Sequence, residues 1–255
     1  MVDPADTIAK LYATSDKLDV WSRMPPKLSE CERRLTSSYC TGKDIRILTV
    51  GCGAGRETIA IYEAGFRNVV GLDCTPELLA VARQRAAGMC LPIDFHLARA
   101  TEMPFSSASF AVVTLFTNVY GHITPRAARL DALREAGRCL KSGGLILLEA
   151  TSILNRFRYF VAIRILEIAR MFHNPRRMER GDKLIRNAGK VAGVSAEAMP
   201  RSHWFRPGEI DADADEVGLE VVLASTTKGV LQDPLRHSRQ LHKAGWLEYV
   251  LRKNK

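Results

Sequence analysis

The sequence predicts an α/β protein built on a mostly parallel sheet with helices on both faces. Three observations carry that prediction. Short apolar runs alternate with helix-length amphipathic segments between residues 45 and 150, a loop with three glycines follows the first run, and an aspartate ends the second. Alternation at this spacing marks βαβ units, whose strands are buried on both faces and so read as near-continuous apolar runs.

Taken in order, residues 5–40 read as one or two helices broken at Pro25-Pro26. Strands are expected at 45–50 (IRILTV), 68–73 (NVVGLD), 93–97 (IDFHL), 110–116 (FAVVTLF) and 144–150 (GLILLEA), with helices at 56–64, 76–87 and 126–140. Residues 153–172 have the pattern of an amphipathic helix with arginines along it, and a looser stretch follows to 206. A helix near 207–217 and strands at 219–225 and 245–252 then resume the alternation. About 50 residues make a poor core alone, so 152–206 is expected to be a cap on the sheet. The organisation is therefore a helical lid (1–40), a ligand-binding core (41–151), a basic helical cap (152–206) and a C-terminal completion of the sheet (207–255).

Composition narrows the class. Hydrophobic residues make up 46% and charged residues 25%, as in ordinary globular proteins. No apolar run reaches the ~18–20 residues of a membrane span, and the start MVDPADTIAK does not resemble a secretory signal. The six cysteines lack any CxxC pair, which points to reduced thiols in the cytoplasm and to no metal site. The net charge is +9, of which residues 152–206 contribute +8, so an anionic partner is expected there.

The loop Val50-Gly-Cys-Gly-Ala-Gly55 discriminates among nucleotide ligands. A dinucleotide fold wants GxGxxG, but Arg56 stands at the third glycine's position, and no GK[ST] follows for a Walker loop. GxGxG suits a ligand without a pyrophosphate, whose amino-acid end and ribose lie along the loop. Asp73 is placed to accept from both ribose hydroxyls, which fits NAD and S-adenosylmethionine equally; the loop favours the second.

With ILTVGCGAG, VVGLDCTPELLAVAR, ATEMPFSSASFAVV and LDALREAGRCLKSGGLILLEA in this order, the chain resembles the class I S-adenosylmethionine-dependent methyltransferases. The likeness covers ~40–150 continuously and ~203–252 more loosely. It implies a Rossmann-like seven-stranded sheet in the order 3-2-1-4-5-7-6 with an antiparallel final strand. It implies S-adenosylmethionine as cofactor, with Gly51, Cys52, Gly53 and Gly55 along its methionine and ribose side and Asp73 on the ribose. Cys74, Ala100 and Thr101 would border the adenine, and Thr117 and Asn118 would lie near the sulfonium. Three positions depart from the family pattern. Thr49 replaces an acid before the first glycine, Arg99 replaces an aspartate that accepts from the adenine amino group, and Ala111 replaces an aspartate after Ser-Phe.

For the acceptor side, Phe116-Thr-Asn-Val-Tyr-Gly-His122 resembles turns of small-molecule N-methyltransferases. His122 is the candidate base or substrate orienter, since an imidazole titrates near neutral pH, and Tyr120 is a second candidate. Tyr12, Trp21, Tyr159, His203, Trp204 and Arg206 are candidate acceptor contacts, the last three on a segment resembling the family's lid-to-helix junction. Arg156, Arg158, Arg164, Arg170, Arg176, Arg177 and Arg180 offer a clamp for carboxylate or phosphate. The expected activity is methyl transfer to oxygen or nitrogen of a small polar or anionic metabolite. Two alternatives stand beside it: a methyltransferase of modified wobble uridines in tRNA using the basic segment, and a non-catalytic or membrane-surface binding protein on the same fold.

Overall fold

A computed structural model of the protein describes residues 4–154, 165, 168, 178–185, 200–232 and 245–254. The expected apolar runs become β1 (Arg46–Val50), β2 (Asn68–Asp73), β3 (Asp94–Leu97), β4 (Phe110–Leu115) and β5 (Leu140–Thr151). These five pair in parallel. β6 (Asp182–Leu184) and β7 (Arg201–His203) form a separate antiparallel ribbon that the sequence reading did not anticipate. β8 (Leu219–Thr226) and β9 (Trp246–Lys253) finish the main sheet, with β9 antiparallel to both β5 and β8. The spatial order is β3-β2-β1-β4-β5-β9-β8, the expected 3-2-1-4-5-7-6 once the ribbon is set aside.

The helices divide the core into two layers. α1 (Pro4–Tyr12), α2 (Ser15–Arg23) and α3 (Glu30–Tyr39) precede the sheet, so the first forty residues hold three helices rather than one or two. The extra break is at Thr14, whose extended backbone (φ −63°, ψ 144°) ends the first helix while its hydroxyl donates to the Leu11 carbonyl at 2.7 Å. A capping box starts α3: Glu32 N–H donates to Ser29 Oγ at 3.1 Å, and Ser29 N–H donates to Glu32 Oε2 at 2.5 Å. α4 (Arg56–Glu63), α5 (Pro76–Gly88), α6 (Val119–His122), α7 (Arg126–Cys139), α8 (Glu209–Glu216) and α9 (Thr227–Val230) complete the described set. One cluster packs β1, β2, β4 and β5 against α7 and α8 through Leu48, Leu115, Leu133, Ile146 and Ile210. The other packs the opposite face against α3, α4 and α5 through Leu35, Ile47, Ile59, Leu79 and Val250.

β5 starts earlier than expected. Leu140 pairs with Phe110, and the register then slips so that Leu145 faces Val112; Gly143, at φ +71°, lies in that irregularity. Most of the expected helix at 153–172 lies outside the described residues, although Ile165 and Ile168 are helical and exposed. Tyr159, Arg156, Arg158, Arg164, Arg170, Arg176 and Arg177 also lie outside them. No helix among the described residues is long and apolar enough to cross a membrane.

Candidate cofactor site

Parallel pairing brings the ends of β1, β2 and β4 to one edge of the sheet, where their following loops converge. Two glycines make the convergence possible. Gly51 is left-handed (φ +68°), and a Cβ there would collide with the side chain of Val119, the first residue of α6. Gly55 (φ +82°) caps α4, and a Cβ there would stand 3.1 Å from Ala82 Cβ, so this glycine lets α4 and α5 pack. Between the loops lies a cavity of about 330 Å³.

Gly51, Cys52, Gly53, Asp73, Cys74, Ala100, Thr101 and Thr117 line it, as do His122, Tyr12 and Trp21. Asp73 is fixed at the end of β2: Gly53 N–H donates to its Oδ2 and Thr75 N–H to its Oδ1, both at 2.8 Å. Burial nevertheless holds its carboxyl above the usual range, with those backbone donors opposing the shift. Burial, then the Asp73 charge, pushes the neighbouring Cys74 thiol up to about 12, so it is a neutral wall rather than a nucleophile. Helices α1 and α2 form the outer wall. Tyr12 lies edge-on to both Trp21 and His122, and its hydroxyl is 3.2 Å from His122 Nε2. Burial pushes His122 down to about 4, and Lys17 adds to the shift, so the ring is neutral at physiological pH.

Several expected contacts lie elsewhere. Gly55 serves helix packing and is not on the cavity wall. Asn118 is buried, with its amide committed away from the cavity: Nδ2 donates to Ser202 Oγ at 3.0 Å and Oδ1 accepts from Thr151 N–H at 2.8 Å. Tyr120 has no exposed surface; it stacks on Phe205 and donates to Asp213 Oδ2 at 2.7 Å. His203 is equally buried, gripped by Asp182 at 2.9 Å and Glu209 at 2.8 Å. Trp204 lies under the Lys183 ammonium, and the Arg206 N–H donates to Glu209, so neither joins the cavity wall. Both aromatic and imidazole types suggested chemistry at Tyr120 and His203, but their polar atoms have structural partners. Asp182, His203 and Glu179 also lie within metal-ligand distance of one another, and both His203 nitrogens are engaged by carboxylates.

The three departures have local explanations. Thr49 is buried within 2.6 Å of the Thr58 hydroxyl, so an acid there would face α4. Arg99 pairs with Asp6 of α1 at 2.5 Å, which ties the outer wall to the loop after β3. Ala111 is half-buried in β4, and nothing in the structure gives its replacement of an aspartate a role.

The sequence reading missed Arg56 and Glu57, both on the cavity wall. Arg56 reaches Glu32 at 2.5 and 2.9 Å, Glu57 at 2.6 Å, Thr117 Oγ1 at 2.8 Å and the Lys27 carbonyl at 2.6 Å. Thr117 Oγ1 is also 2.9 Å from Glu57 Oε1, and its N–H donates to Glu149 at 2.9 Å. The available signal was a charged pair opening a helix that otherwise reads IAIY. The cavity also extends along Val119, Ile123, Pro125 and Ala128, towards α1 residues Ala5 and Ile8.

Residues 47–144 match the family model described as a methyltransferase domain. The fold agrees: a SAM-dependent methyltransferase from Methanosarcina mazei superposes with a TM-score of 0.66 at 18% identity, covering 89% of this chain and 99% of that one. Residues 47–144 are thus a methyltransferase domain, set in a sheet with the class I methyltransferase fold. Among the chain's relatives, the ubiquinone biosynthesis O-methyltransferase of Cereibacter sphaeroides (strain ATCC 17025) is 36% identical over 112 residues, 44% of this chain and 42% of that one. The tRNA U34 carboxymethyltransferase of Cellvibrio japonicus is 29% identical over 137 residues, 53% of this chain and 38% of that one. The chain thus spans about two-fifths of the length of each.

Proposed function

We propose that the protein transfers a methyl group from S-adenosylmethionine to an oxygen or nitrogen of a small acceptor with an apolar body. The observation that carries this reading is the convergence of Gly51, Gly53, Asp73 and Thr117 on one cavity at the sheet's edge. The residues fit the cofactor: the glycine loop allows close approach, and Asp73 is held with its carboxylate on the wall. When bound, S-adenosylmethionine supplies an electrophilic methyl on a sulfonium. The chain's part is then to orient the acceptor and exclude water, since in-line displacement depends mainly on position. Cys74, Ala100 and Thr101 fit the adenine side, Gly51 to Gly53 the ribose and methionine side.

The acceptor side argues for an apolar body over an anion. Val119, Ile123, Pro125, Ala128, Ala5 and Ile8 line it. Arg56 and Arg99 are the basic side chains on the wall among the described residues, and both are in ion pairs, with Glu32 and Asp6. Tyr12 and His122 supply polar contacts there, with the Tyr12 hydroxyl, 3.2 Å from His122 Nε2, the group placed to hydrogen-bond an acceptor hydroxyl or amine. The ubiquinone relative fits such an acceptor.

RNA is the second reading, favoured by the +8 segment at 152–206 and by the tRNA relative. Labelled S-adenosylmethionine separates the two. Incubation with a panel of phenols and quinols, and in parallel with bulk tRNA, is expected to put label into the solvent-extractable products at rates insensitive to salt. Label in tRNA alone, with steep loss between 50 and 200 mM salt, would overturn the small-molecule reading.

A further inference from the structure

Four carboxylates gather beneath the glycine loop: Glu32 from α3, Glu57 from α4, Glu149 from β5 and Glu248 from β9. Arg56 is the cation that touches them, through Glu32 and Glu57. Glu149 accepts from the Thr117 N–H, Glu248 is 3.2 Å from the Thr227 hydroxyl, and among the described residues neither lies in an ion pair. Of the four, Glu57 alone lines the cavity, and it is 7% exposed. Its side-chain hydrogen bonds, from Arg56 and Thr117, both fall on Oε1. The carboxylate therefore meets the cavity with its second oxygen uncommitted to either.

Thr49 gives this arrangement its meaning. The acid expected before the first glycine is absent, and the Thr49 hydroxyl instead meets Thr58 of α4. The acid lies instead at Glu57, the second residue of α4, with three further carboxylates behind it. Four carboxylates against one guanidinium give the wall a net negative field once they are ionised, in a site of low polarity where unpaired charge interacts strongly. Burial delays that ionisation to about pH 7 at Glu149 and raises Glu57 and Glu248 as well.

We propose that this wall selects the cationic methyl donor over its neutral demethylated product, with Glu57 the member that touches the ligand. The inference rests on the cofactor reading above. Bound S-adenosylmethionine carries one carboxylate, one ammonium and one sulfonium, a net charge of +1. On transfer the sulfur–methyl bond breaks, the acceptor–methyl bond forms, and the sulfur keeps the bonding pair. S-adenosylhomocysteine is left with no net charge, while a proton leaves the methylated acceptor. The wall attracts the first ligand and loses that attraction when the reaction is complete, which favours product release.

Calorimetric affinities test this without turnover. Sinefungin, whose amine replaces the sulfonium and keeps the positive charge, is compared with S-adenosylhomocysteine on the wild type, on Glu57→Gln and on Glu149→Gln. The wild type is expected to prefer sinefungin by at least about tenfold, the scale of one charge-assisted contact. Glu57→Gln should lose most of that preference while keeping its affinity for S-adenosylhomocysteine, a change that a merely structural defect would not produce. Glu149→Gln, which keeps an acceptor for the Thr117 N–H, should lose part of it. Equal wild-type affinities, or a preference unchanged in both variants, would overturn the proposal. If neither ligand binds the wild type, the cofactor reading itself fails and takes the proposal with it.

Discussion

Replacing Arg56 by methionine removes the guanidinium and keeps most of the stem. Glu32 has 1% of its side chain exposed and Glu57 9%, so both carboxylates would be left buried without their cation. Breaking a buried pair in this way costs about 3–5 kcal/mol, and two acids are orphaned here, so ~4 kcal/mol is a fair expectation. For a chain of this size 1 kcal/mol moves Tm by about 2–4 °C, giving a fall of ~8–16 °C by circular dichroism. The loss should also depend on pH in a defined direction. Burial, then the Glu32 charge, raises Glu149 to about 7, and burial likewise raises Glu57 and Glu248. An acid whose folded pKa is raised contributes stability that is complete below the unfolded value and lost as pH climbs through the folded one. Without Arg56 these acids rise further. The deficit of Arg56→Met should therefore be largest near pH 8 and smallest near pH 5. A Tm drop under ~2 °C, or a deficit that does not change with pH, would refute the claim that Arg56 compensates buried charge.

Three further outcomes follow from the geometry. Gly51→Ala must force a Cβ into Val119 at a left-handed φ, so it should destabilise by ~2 kcal/mol or more and abolish ligand-induced stabilisation; a melting curve equal to wild type would contradict the described loop. His122 should stay neutral across pH 5.5–8, so its imidazole resonances should not titrate in that range by NMR; a midpoint near 6.5 would mean an open, solvated ring. His203 is lowered by burial but raised overall by Asp182 and Glu209, so its stabilisation is present below the unfolded value of about 6.5 and fades as pH passes the folded one. His203→Gln should thus lose more stability at pH 6 than at pH 9 in urea denaturation, and an equal loss at both would count against an ionised latch.

Strand positions were legible because each central strand is buried on both faces, which leaves a run such as FAVVTL with little room for polar residues. The converging loops were legible for a related reason: Gly51 and Asp73 occupy places where backbone sterics and a fixed ladder end admit few alternatives. Arg56, Glu57 and Glu32 were not, because their partners lie across the fold and a charged pair on a short helix ordinarily reads as a solvated face. Tyr120 and His203 misled for the opposite reason. Both are residue types rich in chemistry, and only the packing of α8 and the ribbon shows that Asp213, Asp182 and Glu209 have claimed their polar atoms. The ribbon itself, three residues per strand, is too short to leave a periodic trace.

Asp73 is expected to hold an S-adenosyl ligand in the cavity above the glycine loop. Thermal unfolding with S-adenosylhomocysteine, with NAD as control, tests it on the wild type and on Asp73→Asn. At a hundredfold excess over Kd the wild type should gain about 2.7 kcal/mol from S-adenosylhomocysteine and nothing from NAD, and Asp73→Asn should lose most of that gain. An equal shift with NAD, or a full shift retained in Asp73→Asn, would contradict the account.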